Sequence, residues 1–165
     1  MMSSGDRKAR RVDMLRRFDD KTFARGLEDW AWLLAGKPLR PLAASMFGDV
    51  FLQGPDGVWF LDSLEGPLAK EWPDARTLES ALRTPEGEDQ YLLGGIVAAA
   101  YEPGLEPGPE QIFMFSVHPA LGGAISAENV EVMDYVVASS ICGQLREQIN
   151  GMPPGTRITG VTFTD

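Results

Sequence analysis

Apolar positions along the chain change period several times, and each change marks an element. From Arg10 to Leu34 the spacing is helical: Phe23, Leu27, Trp30 and Leu34 recur at three- and four-residue steps, which lines them along one helix face. Asp19-Asp20 is a point where this helix can break, and Gly36 followed by Pro38 ends it. The stretch SMFGDVFLQGPDGVWFLDSLEG then switches to a period of two. Its two aromatic and branched runs flank Gly54-Pro55-Asp56-Gly57, which predicts a β-hairpin. Alternation places Phe47, Asp49 and Phe51 on one face of the first strand. Trp59 and Leu61 share a face of the second, opposite Val58, Phe60 and Asp62. A third short strand is expected near Leu68–Trp72.

Beyond the hairpin the signals turn helical again. Asp74 is placed to cap a helix holding Leu78 and Leu82. Thr84 with Pro85 behind it, and Glu86, Glu88 and Asp89 in the first turn, starts a second. That helix is expected to run through Leu92, Leu93, Ile96 and Val97, with Gly94-Gly95 bending it or allowing close packing. After the Pro/Gly loop EPGLEPGPEQ, the run IFMFSV is apolar on both faces, as in a central strand. NVEVMDYV reads as a short strand leading into a helix whose buried row is Val137, Ile141, Leu145 and Ile149. Gly151 and Pro153-Pro154 end that helix, and RITGVTFT is expected as a last strand. Hairpins and few long crossovers give an α+β fold with a largely antiparallel sheet packed by helices. It divides into a basic helical lead, residues 1–29, and an α+β domain, residues 30–165.

Charge adds what periodicity cannot. Over 165 residues the net charge is −9, but residues 1–17 carry +4 and the remainder −13. Such a surface repels nucleic acid and anionic lipid and steers a basic partner inward. One cysteine, Cys142, excludes an internal disulfide and suits a reducing cytoplasm. No stretch has the apolar length of a membrane span.

Candidate chemistry is thin. One histidine and one cysteine argue against zinc and transition-metal sites, which want several nitrogen or sulfur ligands. GPDG lacks the acidic spacing of a calcium loop, and no cofactor motif is present: Gly122-Gly123 and Gly36-Lys37 fail as phosphate cradles. Cys142 falls in an apolar helical row, where a thiol is inert. His118 precedes Pro119, which forces it to be extended, as at a strand end. Asp49 and Asp62 fall on adjacent hairpin strands; whether they pair depends on register, and such carboxylates are ordinarily solvated. Trp32 lies off the Phe23–Leu34 stripe and is the tryptophan placed to touch a partner.

Several segments together resemble a known family. WAWLL, FGDVFL, VWFLDSLEG and FSVHPALGG…ENVEVMDYVVASSICGQLREQI…PPGTRI are similar to the C-terminal domain of type VI secretion immunity proteins paired with DNase effectors. The most specific residues are Phe47, Gly48, Asp49, Asp62, Gly66, Pro119, Gly122, Gly123, Glu131, Gly143 and Gln144. The resemblance implies a cytoplasmic, non-enzymatic protein that blocks a secreted toxin by occluding its active or DNA-binding surface. The partner implied is an effector with a basic surface; direct nucleic-acid binding and membrane attachment are not. Candidate contact residues are the acidic Asp56, Glu65, Glu86, Glu88 and Asp89, with Trp32 as anchor. Two other readings stay open: a small-ligand binder or enzyme using His118 and the 119–125 loop, and a scaffold whose basic lead contacts nucleic acid.

Overall fold

The computed structural model describes residues 14–153, 155–158 and 160–164. Strand β1 (Leu15–Arg16) precedes helix α1 (Asp20–Gly26), a 3-10 turn over Glu28–Trp30 and the short α2 (Ala31–Leu34). Strands β2 (Arg40–Ser45), β3 (Val50–Gly54), β4 (Gly57–Leu61) and β5 (Leu68–Trp72) follow, then helices α3 (Ala75–Leu82), α4 (Pro85–Leu92) and α5 (Gly94–Tyr101). Strand β6 (Gln111–Phe115), two 3-10 turns, β7 (Val130–Asp134) and α6 (Tyr135–Ile149) complete the regular structure. The first five strands form an antiparallel meander in chain order, and β6 and β7 form a separate two-stranded sheet. The α+β expectation is met.

The hairpin closes as its sequence requires. Gly54 pairs with Gly57, leaving Pro55-Asp56 as the two-residue turn. Asp74 accepts a hydrogen bond from Thr77 N, and Thr84 accepts from Gly87 N, so both predicted helix caps form. The meander is covered on both faces. Val50, Leu52 and Leu61 pack with Phe23, Trp30, Ile112, Tyr135 and Cys142. Ala43, Phe51 and Val58 pack on the other side with Trp72, Leu78 and Leu92. A third cluster of Met46, Phe47, Val97, Phe113 and Phe115 joins the β2–β3 turn to α5 and the small sheet.

Six local expectations change. The first hairpin strand begins only at Val50, so Phe47 and Asp49 share no strand face with Phe51; residues 46–49 turn the chain back from β2, with Gly48 N donating to Ser45 O and Ser45 N to Asp49 O. The N-terminal helix begins only at Asp20; Leu15–Arg16 instead pairs with β2, while residues 1–13 lie outside the described residues. Residues 15–30 thus share the sheet and core of the rest of the chain. The helix expected through Leu93 breaks there, because Leu93 takes a left-handed conformation (φ 51°) and Gly94 starts α5. The apolar run of β6 pairs only with β7; its second face is buried by side chains, with one main-chain link from Phe113 N to Met46 O at 2.7 Å. The buried row of α6 is Tyr135, Ala138, Cys142, Leu145 and Ile149, which leaves Val137 49% exposed. Residues 160–164 form no strand among the described residues. Their backbone is held by side-chain amides: Gln144 exchanges hydrogen bonds with Thr164 (2.7 and 2.9 Å), and Gln148 does so with Thr162.

Helix α6 approaches the N-terminal segment closely because of Gly143. A Cβ there would sit 2.7 Å from the Asp29 carbonyl oxygen. The approach lets Trp30 Nε1 donate to Ser139 and Trp32 Nε1 donate to Gly143 O at 3.2 Å. Alanine favours a helix over glycine by about 1 kcal/mol, but a methyl against fixed backbone costs more. G143A is therefore expected to lower stability by about 2 kcal/mol net, read from the urea midpoint; an unchanged or raised midpoint would contradict this packing.

Candidate functional site

The site grows from two turns at one end of the hairpin. Register runs from Val50↔Leu61, which brings Asp49 and Asp62 side by side just beyond the paired residues. Asp49 is not solvated, contrary to expectation: it is 4% exposed. One carboxylate oxygen accepts from Ser63 N (2.8 Å) and Ser63 Oγ (2.7 Å), and the other from Ser45 Oγ (2.8 Å). Burial and the neighbouring Asp62 push its pKa up to about 6 against the pull of those hydrogen bonds.

Asp62 organises the β4–β5 connection. Its carboxylate accepts from Leu64 N (2.9 Å) and Glu65 N (3.0 Å), and its carbonyl accepts from Gly66 N (2.7 Å). Gly66 has φ 82°, and any Cβ on it would fall 2.5 Å from Arg146 Nε. Arg146 reaches across from α6 and donates to Leu64 O at 3.3 Å; its buried Nε has no partner. Glycine is required there twice, for its backbone and for the guanidinium beside it.

These groups line a cavity of about 420 Å³ that includes Asp49, Asp62, Glu65, Tyr91, Ile125 and Arg146. A second lobe of about 340 Å³ shares Phe60, Asp62, Glu65, Gln90 and Tyr91 with the first and adds Glu71. Tyr91 is fixed edge-on to Phe60 (5.4 Å) and Trp72 (4.9 Å). Burial, together with the charge and hydrogen bond of Glu71, holds its phenol above the usual range. The result is a groove with carboxylates and two aromatic rings in its walls.

His118 lies beneath the loop that borders this groove. It is 5% exposed and caps the 3-10 turn Pro119–Leu121, its Nδ1 accepting from Ala120 N at 3.0 Å. The neutral ring therefore carries its proton on Nε2, an atom with no partner of good hydrogen-bond geometry. Burial lowers the ring's pKa and Arg146 lowers it further, while the Ser63 backbone and Asp62 oppose them. The loop is held by Asn129, which bonds Val117 N, Val117 O and Ala124 O. Gly122 (φ 95°) and Gly123 turn it back.

The other singled-out residues are dispersed. Phe47 stacks on Phe115 at 4.8 Å, Gly48 sits in the β2–β3 turn, and Glu131 accepts from Ser116 Oγ at 2.9 Å. Trp32 is half-buried with its indole N–H spent on Gly143. Asp56 is exposed at the hairpin tip, where it accepts from Trp59 Nε1; Glu86, Glu88 and Asp89 lie on α4, away from Asp56 in sequence and element. Only Glu65 of the expected contacts reaches the groove, beside Asp49, Asp62 and Pro119. Phe60, Glu71, Tyr91 and Arg146 are among its unforeseen members. Arg146 had one signal, as the first lysine or arginine after Arg83.

Among the described residues no group of three His, Cys, Asp or Glu side chains is arranged to hold a metal, and no helix is long and apolar enough to cross a membrane. No family model matches the chain, and no match among curated proteins reaches significance. The fold is similar to the crystal structure of Atu4351 from Agrobacterium tumefaciens, with a TM-score of 0.54 and 17% identity. The match covers 79% of this chain and 66% of that one, just under two thirds of its length. At that identity the likeness establishes the fold alone.

Asp49 gives the site a pH signature. Its folded pKa is raised, so its contribution to stability is full below about pH 4, near the unfolded value, and is lost as pH rises through about 6. His118 acts in the opposite sense, since a depressed ring pKa adds stability above about 6.5 that is lost on acidification. D49N keeps an acceptor for Ser63 and removes only the first effect. Relative to D49N, the wild type should lose up to about 3 kcal/mol between pH 4 and 7 in urea titrations. A pH-independent difference would refute the buried carboxyl.

Proposed function

We propose that this is an immunity-type binding protein that neutralises a secreted bacterial toxin by covering its basic working surface, as the type VI resemblance implies. One observation carries the reading. Residues 84–145 contain nine carboxylates and no lysine or arginine. Eight of the nine are exposed: Glu86, Asp89, Glu102, Glu106, Glu110, Glu128, Glu131 and Asp134, with Glu88 half-buried. His118, the one other basic side chain in this stretch, is buried and kept neutral at pH 7 by its lowered pKa.

Acidic surface of this kind attracts a surface built to hold phosphates and raises the rate of encounter. A nuclease must present that kind of surface to bind DNA. Val117 (50% exposed), Leu121 (41%) and Ile125 (57%) sit on the loop bordering the groove, supplying apolar area that a partner can desolvate. Many of the family-like residues support the fold instead: Asp49 is bound to two serines, Gly66 packs on Arg146, Gly143 on Asp29, and Gln144 holds Thr164.

Co-expressing a candidate cognate effector, with and without the protein, tests the reading. Growth should be restored, and the association rate with purified effector should fall about tenfold or more as NaCl rises from about 50 to 500 mM. Growth arrest that persists with a genuine cognate effector, or a salt-independent rate, would overturn it.

The groove also favours a second reading, a small-ligand site or enzyme on the 119–125 loop, since Pro119, Ala120 and Ile125 line it. H118A separates the two. Truncating a buried ring costs about 2 kcal/mol or more of stability in either case. A general base would in addition lose about 100-fold in turnover, whereas a binding protein should still neutralise its partner below the melting temperature.

A further inference from the structure

We propose that the two-lobed groove is a socket for a cationic side chain, an arginine by preference, presented by the protein partner. The inference rests on the partner-binding reading and adds to it the place where the partner is anchored.

Charge complementarity selects the occupant. Asp49, Asp62, Glu65 and Glu71 border the two lobes, and Arg146 is the single cation among their lining residues. Arg146 is itself turned to structural use, lying on Gly66 and donating to Leu64 O. The second lobe, between Asp62, Glu65 and Glu71, has no cation in its lining. Glu65 and Glu71 are exposed at its rim, where a donor can reach their carboxylates, and Glu71 already bonds the Tyr91 hydroxyl.

Shape narrows the choice further. Phe60 and Tyr91 wall both lobes, and Tyr91 is held in place by Phe60, Trp72 and Glu71. A planar guanidinium can stack on such a ring while bonding a carboxylate with two parallel N–H groups; an ammonium can do only part of this. Ile125 and Leu93 offer apolar surface to the aliphatic stem. A rigid aromatic pocket with carboxylates at its rim has the form of a binding hot spot.

The test has two arms, both on the full chain. In the first, isotope-labelled protein is titrated with N-acetyl-arginine amide, N-acetyl-lysine amide and the neutral N-acetyl-citrulline amide at fixed ionic strength. Saturable shifts confined to residues 62–66, 71, 90–91 and 119–125, larger for arginine than for lysine and absent with citrulline, are expected. Equal shifts with citrulline, or shifts spread over the whole acidic face, would overturn the socket. In the second arm, E65Q/E71Q is compared with E86Q/D89N, which removes the same charge from α4. The groove pair should speed dissociation from the effector about tenfold or more, and the α4 pair should chiefly slow association.

The outcomes separate the two ideas. If both pairs act alike while the wild type still protects cells, the socket fails and the immunity reading stands. If the wild type does not protect against its cognate effector, the immunity reading fails and the first arm alone decides whether the groove takes a cation. If free arginine amide binds in the micromolar range while E65Q/E71Q leaves effector binding untouched, the groove serves a free cationic metabolite, and the partner-anchoring proposal is overturned.

Discussion

One buried carboxylate sets the geometry on which the rest depends. Removing an ionised carboxylate from water costs several kcal/mol unless its lone pairs are satisfied, and Asp49 meets that cost with three short hydrogen bonds to Ser45 and Ser63. Ser45 ends β2 and Ser63 follows β4, so the carboxylate fastens both ends of the hairpin region. The turn it stabilises also carries Met46, whose carbonyl accepts from Phe113 on the small sheet. The 45–49 turn thus meets the large sheet, the small sheet and the groove. Incomplete compensation shows in its pKa, raised to about 6, so its environment still favours the protonated form.

The carboxylates divide by the job their surroundings allow. Asp49 is buried and internally bonded, whereas Asp62 closes a turn and still faces the cavity. Glu65 and Glu71 are exposed at its rim, and the acids of α4, the 102–110 loop and β7 lie largely on the outer surface. Burial makes an acid a structural fastener at an energetic cost; exposure keeps it ionised and available to a partner at little cost. A broad field that speeds encounter and a rigid aromatic pocket that slows departure are separable contributions to binding. Under the proposed reading the exposed acids supply the first and the groove the second.

His118 and Arg146 complete the division between scaffold and surface. A buried neutral imidazole caps the 3-10 turn of that loop, and a guanidinium lying on Gly66 fixes the opposite wall. Both residue types invite catalytic assignment when met in a sequence. In this fold each has a positioning task that uses its hydrogen-bonding atoms or its bulk, and the groove they shape carries four acids and two aromatic rings in its lining.

Local chemistry was legible in the sequence. The Gly54–Gly57 turn, the strand at Leu68–Trp72, and the Asp74 and Thr84 caps depend on residues within four positions of one another, and they formed as read. The acidic bias past Thr84 is likewise a property of the chain itself. Apart from the helix break at Leu93, what failed depended chiefly on distant contacts. The buried face of α6 is rotated so that Val137 is exposed, because Gly143 must meet Asp29 and Tyr135 must enter the core. β6 reads as a central strand, but its second face is covered by packing that no local pattern records. Asp49 is buried only because Ser45 and Ser63, the second 14 residues away, close over it with hydrogen bonds. The groove joins residues 49, 62, 71, 91 and 146, whose convergence comes from strand register and helix packing. Periodicity reports which face of an element is apolar; only tertiary structure decides what that face meets, and there the site was made.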